Sequence, residues 1–199
     1  WGLFLSQIIT GNLARKSHQS NSFLYSAYAG KKLYNTSDLW DKPTAEANNW
    51  SLISVRGSGN LTITGNGTFA AKENDCYAVD VQESATVTIK NGTFIGNIHA
   101  VYVFAGTANV EGGTYSVQQK YPDSAKGDEF VLNCYDANRA NGTARINVTG
   151  GTFKNFNPAD NKAEGEGNNF ADNSLVVQKN NTVQNNDYYV GNAANEVIA

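Results

Sequence analysis

Residues 87–94 read Val87-Thr88-Ile89-Lys90-Asn91-Gly92-Thr93-Phe94, which is an alternating strand, an Asn-Gly turn and a Gly-Thr-aromatic motif. The motif occurs four times, at residues 67–69, 92–94, 113–115 and 151–153. Each copy follows a short alternating strand and a turn that contains Asn or Gly, and a further short strand precedes each unit. Asn and Gly tolerate the left-handed backbone of tight turns. The pattern therefore predicts short strands joined by tight turns.

The unit repeats with a period typical of a solenoid. Ile53, Val79, Val101 and Leu132 occupy equivalent positions and are separated by 26, 22 and 31 residues. Three short strands in a period of this size are typical of one coil of a right-handed parallel β-helix. Because alternate side chains of a strand face the same side, the register predicts four inward columns. They are Ile53/Val79/Val101/Leu132, Val55/Val81/Val103/Cys134, Ile63/Ile89/Val110/Val148 and an aromatic stack, Phe69/Phe94/Tyr115/Phe153.

We therefore predict an all-β chain, a right-handed parallel β-helix of about four to five coils. The β-helix is expected over residues 51–190, with terminal strands at 175–177 and 188–190. Residues 1–50 do not repeat and are expected to form an N-terminal cap or attachment segment, and residues 191–199 a C-terminal tail. A β-sandwich is the alternative, although its hairpin spacing of about 8–12 residues does not explain the motif after the same strand each time.

Composition excludes several classes of function. The chain has 199 residues, 15 Lys and Arg against 18 Asp and Glu, and a formal net charge of −3. Binding to a phosphate backbone needs clustered basic residues, so we expect no nucleic-acid partner. No apolar run approaches the roughly 20 residues that cross a bilayer, so we expect no membrane insertion.

The residues that carry most cofactor and metal chemistry are scarce. There are two Cys and two His, His18 and His99. The register separates Cys76 from Cys134 by two coils, which is too far for a disulfide, so both are predicted to be free thiols. Cys76 is expected to react faster, because it lies at a turn and Cys134 in the core. His99 aligns with Tyr77 and Phe130 and is expected in a partly buried stack. We predict no cofactor and no metal site.

The first strand of each unit also predicts an outward row, formed by Ser54, Asp80, Tyr102 and Asn133, which we expect to face water. Two insertions, at residues 116–128 and 135–142, are expected to project beside it and contribute Tyr121 and Tyr135. Tyrosine rings flanked by Asn and Asp suit sugars, because the ring stacks on the apolar face of the sugar and polar groups bind its hydroxyls. The predicted binding residues are Ser54, Asp80, Tyr102, Asn133, Tyr121 and Tyr135.

Carboxylate chemistry is the enzymatic alternative, because β-helices often act on polysaccharides. A glycosidase needs two carboxyl groups roughly 5–10 Å apart. Asp80 has no second acid in its row, and the remaining acids lie in turns and insertions. We therefore predict no catalytic residues and no enzymatic activity, with a polysaccharide depolymerase kept as the alternative.

The stretch from Phe130 to Phe170 resembles a known family, most specifically in its segment at residues 150–161, Gly-Gly-Thr-Phe-Lys-Asn-Phe-Asn-Pro-Ala-Asp-Asn. Residues 51–190 are similar to a right-handed, pectate-lyase-like β-helix module of virion proteins of gut bacteriophages, including crAss-like phages of Bacteroidales. Similar modules occur in surface proteins of the hosts of these phages.

The resemblance implies a structural or receptor-binding component of a virion, such as a fibre, spike or decoration subunit. It implies self-association, with a homotrimer typical of fibres, contacts with other virion proteins and a host-surface glycan as ligand. The virion is the expected location. A bacterial surface adhesin, outside the cell or on its surface, is the further alternative.

Overall fold

The computed structural model describes residues 22–27, 32–35, 51–71, 76–119, 130–160, 169–182 and 185–198. The strands in these residues are β1 (Ser22–Ala27), β2 (Lys32–Asn35), β3 (Ser51–Val55), β4 (Asn60–Gly65), β5 (Thr68–Ala71), β6 (Tyr77–Val81), β7 (Thr86–Ile89), β8 (Thr93–Gly96), β9 (His99–Val103), β10 (Gly106–Val110), β11 (Thr114–Val117), β12 (Leu132–Cys134), β13 (Ala144–Val148), β14 (Gly151–Lys154), β15 (Val176–Thr182) and β16 (Asn185–Val190). The helices are α1 (Asp136–Ala140), α2 (Asn192–Ile198) and a 3-10 turn at Asn173–Leu175.

The strands form three sheets that the chain visits in turn. Sheet 1 has the order β12-β9-β6-β3, sheet 2 the order β1-β4-β7-β10-β13, and sheet 3 the order β15-β16-β14-β11-β8-β5-β2. From β1 to β14 every pairing is parallel, and paired strands lie three positions apart along the chain. The prediction of a mostly β chain is confirmed. The parallel pairing also argues against the antiparallel sandwich.

The strand register aligns the members of each predicted column on neighbouring strands. In sheet 1, Ile53 pairs with Val79, Val79 with Val101, and Val101 with Leu132. The second column, from Val55 to Cys134, follows in the same three strand pairs. Ile63, Ile89, Val110 and Val148 pair in the same way across sheet 2. Almost every member of the four columns is buried, so the predicted columns form the core.

The aromatic column is a continuous stack. The ring centroids of Phe69 and Phe94 lie 4.9 Å apart, those of Phe94 and Tyr115 5.3 Å, and those of Tyr115 and Phe153 5.0 Å. The rings are nearly parallel, with interplanar angles of 5°, 11° and 11°. The separation follows from the strand spacing of about 4.8 Å, which brings equivalent rings into contact.

The glycine of the repeated motif is required by the backbone. Gly92 has φ +122°, which L side chains rarely adopt. A Cβ atom at Gly92 would lie 3.1 Å from Cε2 of Phe94 and 3.4 Å from the carbonyl oxygen of Gly67. The motif therefore places a glycine, which the turn requires, two residues before an aromatic ring that packs into the core.

The paired strands begin before the sequence repeat does. Strands β1 and β2 lie within residues 1–50, where the sequence predicted a non-repeating cap. They nevertheless pair in parallel with β4 and β5, and so extend sheets 2 and 3. Register is set by backbone hydrogen bonds, so a segment can join a sheet without carrying the Gly-Thr-aromatic motif.

At the C-terminal end of sheet 3, the chain direction reverses. Strand β16 pairs antiparallel with β14, and β15 pairs antiparallel with β16. The two predicted terminal strands are thereby confirmed, although Leu175 belongs to the 3-10 turn that precedes β15. The predicted insertion at 135–142 contains α1, whereas residues 120–128 of the other predicted insertion lie outside the described residues.

Both thiols are free, as predicted, and the turn position of Cys76 leaves it as buried as Cys134. Cys76 and Cys134 are each only 2% exposed. The carbonyl oxygen of Cys76 accepts hydrogen bonds from the backbone amides of Asn97 and Ile98, which hold this turn against the next repeat. In the part of the chain that the structure describes, no helix is both long and apolar enough to cross a membrane.

Candidate binding face

The outer face of sheet 1 carries three rows of side chains, each running from one repeat to the next. The middle row is the predicted one, Ser54, Asp80, Tyr102 and Asn133, and the strand register aligns all four. A second row lies three residues earlier in each repeat. A third row consists of the residue that directly follows the end of each strand. The second row is Ser51, Tyr77, His99 and Phe130, and the third row is Arg56, Gln82, Phe104 and Tyr135.

Backbone hydrogen bonds hold the third row in register. The amide of Gln82 donates to the carbonyl oxygen of Val55, at 2.9 Å. The amide of Phe104 donates to Val81, at 2.9 Å, and the amide of Tyr135 to Val103, at 3.0 Å. The parallel ladder therefore continues one residue beyond the strands and stacks the side chains of successive repeats.

One end of this face is polar. The hydroxyl of Ser54 donates to one carboxylate oxygen of Asp80 at 3.2 Å, and Nε2 of Gln82 donates to the other at 2.7 Å. Nε of Arg56 donates to the Ser54 hydroxyl at 3.3 Å. We term Ser54, Arg56, Asp80 and Gln82 the polar cluster.

The prediction that Asp80 faces water is wrong, because its residue is only 5% exposed. Burial raises the pKa of Asp80, while the hydrogen bonds from Gln82 and Ser54 and the charge of Arg56 act in the opposite direction. A buried carboxylate needs such donors to remain ionised. Asp80 therefore holds the polar cluster together, and Ser54 and Arg56 are its exposed members.

The next repeats along the same face are aromatic. The ring of Tyr77 lies 4.8 Å from those of His99 and Tyr102, and the rings of His99 and Tyr102 stack at 5.2 Å with an angle of 12°. Phe130 meets His99 edge-on at 5.9 Å. The predicted stack of His99 with Tyr77 and Phe130 is confirmed, and Tyr102 joins it.

The shifted pKa values of His99 and Tyr102 lie away from neutral pH. Burial lowers the pKa of His99 to about 4, against the hydrogen bonds to the backbone of Phe130 and Ile98. Burial, followed by the charge of Asp80, raises the pKa of Tyr102 to about 12. A general acid or base works best with a pKa near the operating pH. What the structure shows for both groups is a ring contact, with His99 and Tyr102 stacked on each other.

Phe104 and Tyr135 form an exposed aromatic pair beside this stack. Their rings lie 4.8 Å apart at 25°, and the residues are 39% and 44% exposed. Nδ2 of Asn138, in α1, donates to the carbonyl oxygen of Phe104 at 2.7 Å, which ties the inserted helix to the preceding repeat. Phe104 was not among the predicted binding residues, although it directly follows Val103 of an inward column just as Tyr135 follows Cys134.

Asn133 supplies an unpaired acceptor next to these rings. Its Oδ1 atom is buried and has no hydrogen-bond partner among the residues that the structure describes. Buried polar atoms are nearly always hydrogen-bonded, by protein, water or ligand. Oδ1 of Asn133 is thus a buried acceptor beneath the surface of this face and not an exposed one.

The structure thus brings together five of the six predicted site residues. Ser54, Asp80, Tyr102 and Asn133 share one row, and Tyr135 lies in the neighbouring row. Tyr121 lies outside the described residues. Within those residues, no group of three or more His, Cys, Asp or Glu side chains is placed to hold a metal ion.

Comparisons of the chain with protein-family models, with curated proteins and with solved structures find no match.

Proposed function

We propose that this chain is a binding and structural protein, in which a right-handed parallel β-helix presents a glycan-binding face on the outside of sheet 1. The coil assignment is supported by the order in which the chain visits the three sheets, and by the pairing of each strand with the strand one repeat later. Such a scaffold is stiff, because successive repeats are bonded to one another through parallel ladders in three sheets.

The Phe104–Tyr135 pair carries the proposal of a glycan ligand. Large aromatic residues are normally buried, and two of them stacked on each other while both stay exposed form an apolar patch on this face. A sugar ring offers a matching apolar C–H face. The polar cluster, with Ser54 and Arg56 exposed, supplies hydrogen-bonding groups on the same face for sugar hydroxyls.

We further propose that the protein is a virion component, a fibre, spike or decoration subunit that self-associates and contacts a glycan on the host surface. This step is supported by the resemblance of residues 51–190 to the β-helix modules of gut bacteriophages and by the stiffness expected of the scaffold. It predicts that purified protein binds Bacteroidales cells, competes with phage adsorption and sediments as a trimer.

Alanine variants of the aromatic pair test the glycan proposal. The probe is an immobilised set of capsular and surface polysaccharides from Bacteroidales. Truncating an aromatic anchor costs about 1–2 kcal/mol, so we expect Phe104→Ala and Tyr135→Ala each to weaken binding roughly 5- to 30-fold. Leu175→Ala is the matched control, because Leu175 is a large apolar residue that is 48% exposed and precedes β15 of sheet 3.

Two results would refute the glycan proposal. One is equal binding by the wild type and the double variant of Phe104 and Tyr135. The other is a loss of binding in Leu175→Ala as large as in the aromatic variants, which would indicate nonspecific adhesion. Release of new reducing ends or unsaturated products that is abolished in Asp80→Asn would instead favour the depolymerase.

A further inference from the structure

Three Asn-Gly dipeptides lie in turns of the repeat region, at Asn66-Gly67, Asn91-Gly92 and Asn141-Gly142. The backbone nitrogen of a residue after Asn can attack the side-chain amide carbon of that Asn. A following glycine favours this attack, because glycine has no Cβ atom to hinder the approach. From the sequence alone, the three sites are expected to react at similar rates.

In the structure, Asn91 and Asn141 make different hydrogen bonds. The backbone nitrogen of Gly92 donates a hydrogen bond to Oδ1 of Asn91 itself, at 2.9 Å. This contact places the nitrogen beside Cγ, the atom that carries Oδ1. The side chain is also held in this orientation, since Nδ2 of Asn91 donates to Oδ1 of Asn66 at 2.7 Å. The nucleophile and the electrophile of the reaction are thus already adjacent.

At Asn141 both groups are engaged elsewhere. The backbone nitrogen of Gly142 donates to the carbonyl oxygen of Arg139, at 3.0 Å, at the end of α1. Oδ1 of Asn141 accepts from the backbone nitrogen of Thr143 at 3.0 Å and from the Thr143 hydroxyl at 2.6 Å. The attack would require these hydrogen bonds to break, so Asn141 is protected by the local fold.

We propose that Asn91 is a site of spontaneous deamidation in the folded protein. The nitrogen of Gly92 forms a bond to Cγ of Asn91, the bond from Cγ to Nδ2 breaks, and ammonia leaves with the proton of Gly92. Water then opens the resulting succinimide at either carbonyl carbon. The products are aspartate or isoaspartate at position 91.

The reaction changes the contact between two repeats. The Asn91 amide that donates to Oδ1 of Asn66 is replaced by a carboxylate, which only accepts hydrogen bonds and therefore faces an acceptor. Isoaspartate also lengthens the backbone directly before Gly92, next to the hydrogen bond from the amide of Thr93 to the carbonyl oxygen of Gly67. Deamidation therefore loosens the turn that supports the aromatic stack.

Peptide mapping by mass spectrometry tests this proposal on the intact folded chain. The protein is aged in mildly alkaline buffer, and aspartate and isoaspartate are quantified at each of the three sites over time. We expect conversion at Asn91 to be several-fold faster than at Asn141 in the folded protein. In denaturant we expect the two rates to converge, since both sites are then unstructured Asn-Gly sequences.

The Asn91→Gln variant serves as the control, because its longer side chain cannot form the five-membered ring. It should accumulate no product at position 91 while Asn141 reacts as before. Equal rates at Asn91 and Asn141 in the folded protein would overturn the proposal, as would faster conversion at Asn141. A further refutation would be a ratio of folded to denatured rates that is the same at both sites.

Discussion

The ring of Phe94 stacks on the ring of Tyr115 at 5.3 Å, in a column that crosses four repeats. Both side chains are fully buried. The stack joins one repeat to the next through side chains in the same way as the parallel ladders join them through the backbone. Its central members therefore contribute more to stability than residues that contact a single repeat.

Replacing Phe94 with alanine removes the centre of this stack. The cavity left between Phe69 and Tyr115 should lower the free energy of unfolding by about 3–5 kcal/mol. Chemical denaturation measures this loss, with Thr93→Ala as the control because Thr93 is only half-buried in the same strand. An unfolding midpoint that equals that of the wild type would contradict the stack as a source of stability.

Tyr115 is the one polar member of the column, and its hydroxyl donates to the carbonyl oxygen of Gly112 at 2.6 Å. Burial raises the pKa of Tyr115 well above its usual value, so the hydroxyl stays protonated and able to donate. Tyr115→Phe should cost about 1 kcal/mol, less than Phe94→Ala, because only a hydrogen bond is lost. The same change at exposed Tyr135 should leave stability unaltered. A larger loss at Tyr135 than at Tyr115 would refute this assignment.

His99 should make the protein sensitive to acid. Nδ1 donates its proton to the carbonyl oxygen of Phe130 at 2.8 Å, and the buried ring has a pKa of about 4, against 6.5 in the unfolded chain. Between these values the unfolded state binds the proton more readily, so stability falls as the pH is lowered from about 6.5 to about 4, by roughly 3 kcal/mol in total.

Denaturation curves measured across this pH range for the wild type and for His99→Gln isolate the effect. The raised pKa of Asp80 acts with the opposite sign, since a protonated carboxyl is tolerated better in the folded state. Asp80 is common to both proteins, so the difference between their slopes reports His99 alone. Identical slopes would show that the pKa of His99 is the same in the folded and unfolded states.

The two thiols provide a probe of the core. Cys76 and Cys134 are equally buried, so both should resist a thiol reagent in the native protein and react together on unfolding. Labelling followed by mass spectrometry of the two peptides distinguishes them. Rapid labelling of Cys76 alone would show that its turn opens locally while the rest of the fold remains intact.

The candidate face was only partly predictable from the sequence. The alternation of strand residues aligned Ser54, Asp80, Tyr102 and Asn133 correctly, because side-chain direction in a strand depends only on position along the chain. The burial of Asp80 depends on donors from two repeats, Ser54 in one and Gln82 in its own. Phe104 follows a strand rather than lying within it, so the alternation did not reveal that it stacks on Tyr135.

The sequence by itself determined the parallel register of the repeats. Its equally placed apolar residues and Gly-Thr-aromatic motifs allow one alignment that buries every column, and a shift by one residue would turn those columns toward solvent. Only the tertiary structure decided where the parallel order stops, at the antiparallel hairpin of β15 and β16, and which polar groups are buried. The physical reason is that these outcomes depend on contacts between residues of different repeats, which the local pattern of one repeat does not encode.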